Sequence, residues 1–432
     1  MTLAQISKIH EYKDTEVTLR GWVYNKRKSG KIMFLILRDG TGFIQCIIEK
    51  TQVSEKVWET CLHLTQESSI IVKGVIRQDD RAPYCGYELT LKDIDVIQLV
   101  KEEYPISLKE HGPDFLLSYR HLWLRVPTQV AIMRIRSQVI KSLRQFFDDQ
   151  DFVMVDAPIF TPSACEGTTT LFEVEYFDRK AYLSQSGQLY MEAAALALGK
   201  VYCFGPAFRA EKSKTRRHLT EFWIIEPEVA FLTFEENMIL QENMVCYVVQ
   251  QVLKNCKNEL NVLKRDISKL ENVKPPFPRI TYDEAFEILK QEGSETEFGS
   301  DFGANDETII TKKFDKPIFV HHFPAEIKAF YMETDPNQPD RVLGMDLLAP
   351  EGYGEIIGGG QRLSDYDTLV SRIKQHNLPM EAFSWFLDLR KFGSVPHGGF
   401  GLGLERFIAW ICGIEHVRET IPFPRTIYRI EP

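Results

Sequence analysis

A chain of 432 residues with 44% apolar and 12% aromatic content holds enough material for two or three packed domains. Its formal charge of −9 excludes a generic basic nucleic-acid binder, so a nucleic-acid partner has to be met by local basic patches. Residues 1–100 carry 14 Lys+Arg against 13 Asp+Glu, which places the acidic excess further along the chain. No apolar run approaches a membrane span, and the leading MTLAQISKIHEYKD lacks the apolar core of a signal peptide. The eight cysteines form no CxxC pair and no Cys/His cluster with zinc spacing. Scattered thiols of this kind predict a reducing, cytoplasmic setting.

Residues 1–102 are predicted to form a small barrel. The segments VTLRGWVYNKR, IMFLILRDG, GFIQCIIEK, SSIIVKGVIRQ and YELTLKDIDVIQL are rich in β-branched and aromatic residues. DGTG supplies a turn, and TQVSEKVWETCLHL has helical character. Five strands with one helix indicate a Greek-key barrel of the OB type. Residues 103–127, with Pro105 and Pro113, read as a linker. From 128 to 432 strands and helices alternate without the regular rhythm of a parallel sheet, which predicts an antiparallel β-sheet flanked by helices. Within it, 128–150 has helical periodicity, and VMVDAPIFTPS is a strand broken by Pro158 and Pro162. LKNCKNELNVLKRDISKLE reads as one amphipathic helix. The fold class is therefore α+β.

Chemistry concentrates in residues 204–231, FGPAFRAEKSKTRRHLTEFWIIEPEVAF. Strand-like apolar residues flank a turn carrying Arg209, Glu211, the cations Lys212, Lys214, Arg216 and Arg217, then His218 and Phe222. Such a hairpin can present a fixed guanidinium to a phosphate, an aromatic face to a base, and flexible cations to the rest of a nucleotide. A second stretch, GSVPHGGFGLGLERF, sets Gly398, Gly399, Gly401 and Gly403 before a helix that opens with Glu405 and Arg406. Glycines let a nucleotide approach the backbone closely. Arg209 and Arg406 together suit a bent triphosphate, one at the reacting phosphorus and one at the leaving diphosphate.

The 204–231 string resembles motif 2 of class II aminoacyl-tRNA synthetases, in the subgroup for aspartate, asparagine and lysine, and GSVPHGGFGLGLERF resembles their motif 3. Residues 135–162 are similar, more loosely, to motif 1, which implies a homodimer. The resemblance spans essentially the whole chain. It implies that Arg209 holds the α-phosphate of ATP, Phe222 stacks on adenine and Arg406 binds the γ-phosphate, with Glu211 and His218 completing the ATP site. It also implies Mg2+ bridging the phosphates, with Glu355 of YGEIIGGGQR as the main protein ligand. Related aspartate enzymes carry a serine three residues further on, where this chain has Gly358. Read without the family, Glu355 is a solvated acid at a strand end.

The segment AYLSQSGQLYMEAAALALG addresses the substrate. Aspartate-specific relatives place a lysine where this chain has Met191, followed by Glu192. A missing cation beside an added acid disfavours aspartate, whereas an acid accepts hydrogen bonds from an amide NH₂. SQSGQL…E with HLTEFW and IPFPR resembles the asparaginyl enzymes in their compact archaeal and bacterial form. This implies L-asparagine and tRNA(Asn) as partners, Arg362 and Glu192 at the side-chain amide, and Glu166 and Gln188 at the α-amino group. Glu192 also reads as a helix-surface glutamate. On the barrel, the resemblance assigns Phe34 to stacking on an anticodon base, Gln45 to a base edge and Glu88 to a further anticodon contact; Phe34 has a barrel-core reading as well. Two rivals share the scaffold: a relaxed aspartyl-tRNA synthetase, and an ATP-dependent asparagine synthetase lacking the barrel. A non-enzymatic RNA-binding module has no need of Arg209, Glu355 and Arg406 together.

Overall fold

The computed structural model describes residues 2–162 and 171–432. They form two compact units, divided between Tyr119 and Arg120.

In the first unit the strands Glu16–Ser29, Ile32–Arg38, Phe43–Glu49, Ser69–Gln78 and Tyr87–Gln98 make a barrel. The last two pair with each other, and Ser69–Gln78 closes back on Glu16–Ser29. Closure removes the free sheet edges that would otherwise template aggregation. The alternation read from the sequence sets the two faces: Met33, Leu35 and Leu37 are buried in the barrel core, while Phe34 and Ile36 point the other way. Helix Glu55–His63 starts on Ser54, whose hydroxyl accepts from Val57 N at 3.3 Å, and it buries Val57, Trp58 and Cys61.

The second unit is built on an eight-stranded sheet in the order Arg279–Thr281, Ile318–His321, Gly344–Ala349, Gly354–Gln361, His397–Gly403, Glu221–Ala230, Lys200–Phe208, Val153–Met154. The six central strands pair antiparallel, and the two outermost strands join parallel. Helices Pro127–Asp148, Phe234–Asn255 and Leu404–Cys412 cover one face, packing Ile135, Val139, Val245, Val249, Phe407 and Ile411 against sheet residues such as Ile225 and Leu402. The long helix Phe234–Asn255 begins in a reciprocal cap between Thr233 and Glu236, and Gly413 in a left-handed conformation ends Leu404–Cys412. Arg120 anchors the start of this unit: its buried guanidinium donates to the carbonyls of Pro422 and Ile421, each at 2.8 Å, and to Gln129 Oε1 at 2.7 Å.

Two expectations meet the coordinates differently. LKNCKNELNVLKRDISKLE is not one helix but the end of Phe234–Asn255 followed by Lys257–Val262 and Ile267–Glu271. Lys264 has a φ of +54, which no helix interior accepts, and Asp266 caps the last piece through Ser268 N at 3.1 Å. Residues 103–127 contain the short helices Pro113–Ser118 and Arg120–Trp123.

Candidate active site

The face of the sheet opposite the helices carries the site, and strand alternation determines what reaches it. Along Glu221–Ala230, Ile225 and Val229 enter the helix-covered core, so Phe222, Ile224, Glu226 and Glu228 face the other way. On the paired strand His397–Gly403, Phe400 and Leu402 enter the same core and Gly399, Gly401 and Gly403 face the site. Three alternate positions without side chains leave the sheet surface open to a ligand.

Arg209 stands at the neck of the charged turn, with its N–H donating to Thr220 O at 3.0 Å and its guanidinium 5.4 Å from the Phe222 ring centre. Three of the cavities it lines also contain Glu355. The first, about 80 Å³, lies among His218, Phe222, Gly401, Gly403 and Arg406. The second, about 350 Å³, adds Arg217, Asp301, Glu307, Lys328 and Asp346. The third, about 490 Å³, reaches Gln188, Glu226, Met332 and Arg362. The structure thus brings Arg209, His218, Phe222, Glu355 and Arg406 together as the sequence predicted. Glu211 sits at the margin, in a small recess with Ser213 and Thr426, its carboxylate 4.0 Å from His218 Nε2.

The charges in this groove are tightly held. Arg406, at the start of its helix, donates from Nη1 to Glu355 Oε2 at 2.7 Å. Burial opposes ionisation of Glu355, but Arg406, Lys328 and Arg209 together hold its carboxyl below the usual range. Burial and then Arg406 lower the His218 imidazole against the pull of Glu211. Arg217, from the basic run, is buried: Nη1 reaches Glu307 at 2.6 Å, and Nη2 reaches Thr308 Oγ1 at 2.7 Å and Gly352 O at 2.6 Å. It ties the turn to helix Ala304–Thr311, so it is not one of the flexible cations. Gly354, at φ +75, makes room, since a Cβ there would meet Glu307 Oε2 at 2.1 Å and Arg217 Nη1 at 2.4 Å.

At the far end of the largest cavity Arg362 is 2% exposed and donates to Glu228 from Nε at 3.1 Å and from Nη2 at 3.0 Å. Its remaining edge, Nη1, lies 3.9 Å from the Met332 sulfur on the cavity side. Gln188 lines the same cavity and donates from Nε2 to Glu192 Oε1 at 3.1 Å.

Glu192 itself does not reach the cavity, which corrects the reading of this residue as a direct contact to the substrate amide. It is fully buried behind Gln188, with Oε2 receiving Arg390 Nη2 at 2.6 Å and His397 Nε2 at 3.0 Å. Against burial, Arg390 and His397 hold its carboxyl far down, at about 2. An anion already met by three protein donors is not presented to a ligand. The surface-glutamate reading fails as well. Met191 packs with Ala195, Val201 and Cys203 in a small apolar cluster, away from the cavity. Glu166 lies outside the described residues.

The sequence reading missed Glu228, Lys328, Asp346 and Glu307. The signal for Glu228 was present: Glu226 and Glu228 recur at spacing two in the otherwise apolar WIIEPEVA, which places both on one hidden face. Lys328, Asp346 and Glu307 meet only through the fold and carried no local mark.

The metal question turns on oxygen donors. Among the described residues no group of three or more His, Cys, Asp or Glu is arranged to hold a metal ion. Glu355 and Asp346 do face one point: a Cβ on Gly358 would lie 3.0 Å from Glu355 Oε1 and 3.4 Å from Asp346 Oδ1. One or two carboxylates completed by phosphate oxygens and water suit Mg2+, which keeps part of its hydration shell. The residues fit a metal that arrives with a nucleotide, and Gly358 adds no ligand.

On the barrel, Phe34, Gln45 and Glu88 share the outer face. Ile36 pairs with Gln45 and Gln45 with Glu88, and Phe34 pairs with Arg27 on the other side. The Arg27 guanidinium lies 4.5 Å from the Phe34 ring centre. Phe34 alternates with fully buried Met33 and Leu35, which rules out the barrel-core reading. Gln45 is 7% exposed and hydrogen-bonds Glu88, whose carboxyl is raised chiefly by burial.

Residues 112–427 match the tRNA synthetases class II (D, K and N), and residues 17–97 match an OB-fold nucleic acid binding domain. The chain is 58% identical to an asparagine–tRNA ligase of Pelotomaculum thermopropionicum over 427 residues, 99% of each chain. A crystal structure of asparaginyl-tRNA synthetase from Pyrococcus horikoshii complexed with asparaginyl-adenylate superposes with a TM-score of 0.96 at 46% identity, covering 100% of both chains. The asparaginyl-tRNA synthetase of Entamoeba histolytica in complex with asparaginyl-adenylate gives 0.88 at 32% identity, covering 97% of each.

Proposed function

The chain belongs to the class II tRNA synthetases of the aspartate, lysine and asparagine group, and from this premise we infer that it activates L-asparagine with ATP and transfers it to the 3′ end of tRNA(Asn), releasing AMP and diphosphate. The observation that carries the choice of amino acid is the charge balance at the end of the large cavity. Arg362, which lines the cavity, already has its charge met by Glu228, while Glu192 is met behind it by Arg390 and His397. A neutral amide enters without disturbing that balance. An aspartate would add a further carboxylate with no cation of its own, and an unmatched buried charge is strongly disfavoured. This argues against the relaxed aspartyl reading. The matched OB-fold argues against an asparagine synthetase, which would lack it.

The asparagine carboxylate is ionised at neutral pH and attacks the α-phosphorus directly, so no general base is required. Catalysis is positioning and charge stabilisation. Arg209 meets the charge that develops on the α-phosphate, Phe222 provides the adenine platform, and Arg406, aimed by Glu355, receives the γ-phosphate, with His218 and Glu211 beside it. Gln188 contacts the substrate's α-amino group while Glu192 orients Gln188 from behind; Glu166 is assigned to the same group on resemblance. Mg2+ would be held by Glu355 and Asp346 and would neutralise phosphate charge. On the barrel, residues 1–102, we assign anticodon reading to Phe34, Gln45 and Glu88, and catalysis to 128–432. A homodimer through 135–162 would cover Val153, Met154, Ile159 and Phe160, which are exposed. Among the described residues no helix is long and apolar enough to cross a membrane, and the seven described cysteines are free thiols, the state that a reducing cytoplasm would keep. Charging of purified tRNA(Asn) and tRNA(Asp) with each amino acid in turn tests the reading; exclusive charging of tRNA(Asp) with aspartate would refute it.

A further inference from the structure

Lys328 occupies a position that the reaction scheme above does not use. Its ammonium lies 2.7 Å from Asp346 Oδ2, 3.7 Å from Asp301 Oδ1 and 3.8 Å from the centre of the Phe323 ring. The side chain is 16% exposed and lines both the cavity that reaches Arg362 and the cavity that holds Arg217 and Arg406. Burial disfavours the ammonium, but Asp346 and Asp301 more than restore it.

A compact, strongly hydrated cation held by two carboxylates and an aromatic face is fixed in place. It stands beside the same carboxylate that, with Glu355, faces the point next to Gly358 where a nucleotide-borne metal would sit. Any divalent cation approaching Asp346 meets a like charge within a few ångströms, and in a partly dehydrated groove that repulsion is large. The two carboxylates cannot then concentrate a metal ion by themselves. A triphosphate brings the negative charge that reverses the balance. We propose that Lys328 is a positioning cation that makes divalent-metal binding in this groove conditional on the nucleotide: it holds the Asp346 carboxylate in place while refusing a metal that arrives alone. The inference rests on the reading of this groove as the ATP site.

The test is direct titration with Mn2+, which accepts the same oxygen ligands as Mg2+, followed by electron paramagnetic resonance on the full-length protein. Wild type should bind Mn2+ weakly without nucleotide and tightly when ATP is added. Lys328→Met, or Lys328→Gln should the first variant fail to fold, should gain nucleotide-independent Mn2+ binding that is tighter by about tenfold or more. Lys328→Arg, which keeps the charge, should behave as wild type, and Lys328→Met with Asp346→Asn should lose the gain. Equal Mn2+ affinity of wild type and Lys328→Met without nucleotide overturns the proposal, as does a gain that survives removal of the Asp346 charge. Absence of Mn2+ binding to wild type in the presence of ATP would instead overturn the reading of the groove, and the proposal with it.

Discussion

Arg362 and Glu228 form a two-point pair, with Nε and Nη2 of the guanidinium both donating to one buried carboxylate. The pair fixes the plane of the guanidinium and turns its third nitrogen toward the cavity. Glu228→Gln keeps the size of the side chain and removes its charge, leaving the cluster with an excess positive charge that an aspartate can answer. Asparagine activation should fall, and the preference for asparagine over aspartate should narrow by roughly tenfold or more. Diphosphate exchange with each amino acid reads this ratio; an unchanged ratio in a folded variant would remove Glu228 from the account of selectivity.

Arg209→Ala should reduce adenylate formation by about 10²–10³-fold, the usual consequence of removing one donor aimed at charge that develops in the transition state. The fold should survive, because the guanidinium faces the cavities and the Arg209 backbone hydrogen bond to Thr220 is kept. Activity within a few-fold of wild type would contradict its place at the α-phosphate.

Phe34→Ala and Gln45→Ala should weaken aminoacylation of tRNA while sparing tRNA-independent activation of asparagine. A stacked base is worth roughly 1–3 kcal/mol, so kcat/KM for tRNA should drop by about tenfold or more. Measuring both half-reactions separates the possibilities: equal losses in the two would mean that these residues support the barrel.

Acid should destabilise the second unit through half-buried imidazoles. Burial, and then His322, lower the pKa of His321 to about 4, and burial, and then Arg418, lower that of His416 to about 4. Both lie below the unfolded value of about 6.5, so the unfolded chain binds more protons between pH 6.5 and 4. The stability these groups contribute is present above pH 6.5 and is lost as pH falls toward 4. His321→Asn should therefore show a smaller drop in Tm between pH 7.5 and 5 than wild type. An identical drop would remove His321 as a source of the effect.

Much of this was legible because it depends on short periods. Alternation in IMFLILR set the faces of the barrel strand, and the spacing in GGFGLG set the bare face of the catalytic sheet. Arg209, Phe222 and Arg406 were singled out because their neighbours form a recognisable string, and the fold brings them to one cavity. Glu192 was misplaced for a physical reason: its position on helix Gln188–Leu198 follows from sequence, but what packs against it does not. Arg390 and His397 lie some two hundred residues away and convert it from a candidate ligand contact into a buried support. Lys328 and Asp346 were invisible for the same reason, since neither has a telling neighbour and their meaning comes from the 2.7 Å that separates their charges.

On the proposed function, the charges around Arg362 select a neutral amide. The most direct measurement is kcat/KM for asparagine and for aspartate in aminoacylation of purified tRNA(Asn) by the wild-type enzyme. A site whose hydrogen-bonding groups match one of two nearly isosteric substrates can separate them by roughly 10⁴-fold, and a preference for asparagine of that order is the predicted result. Comparable charging with aspartate, or a preference for it, would contradict the account.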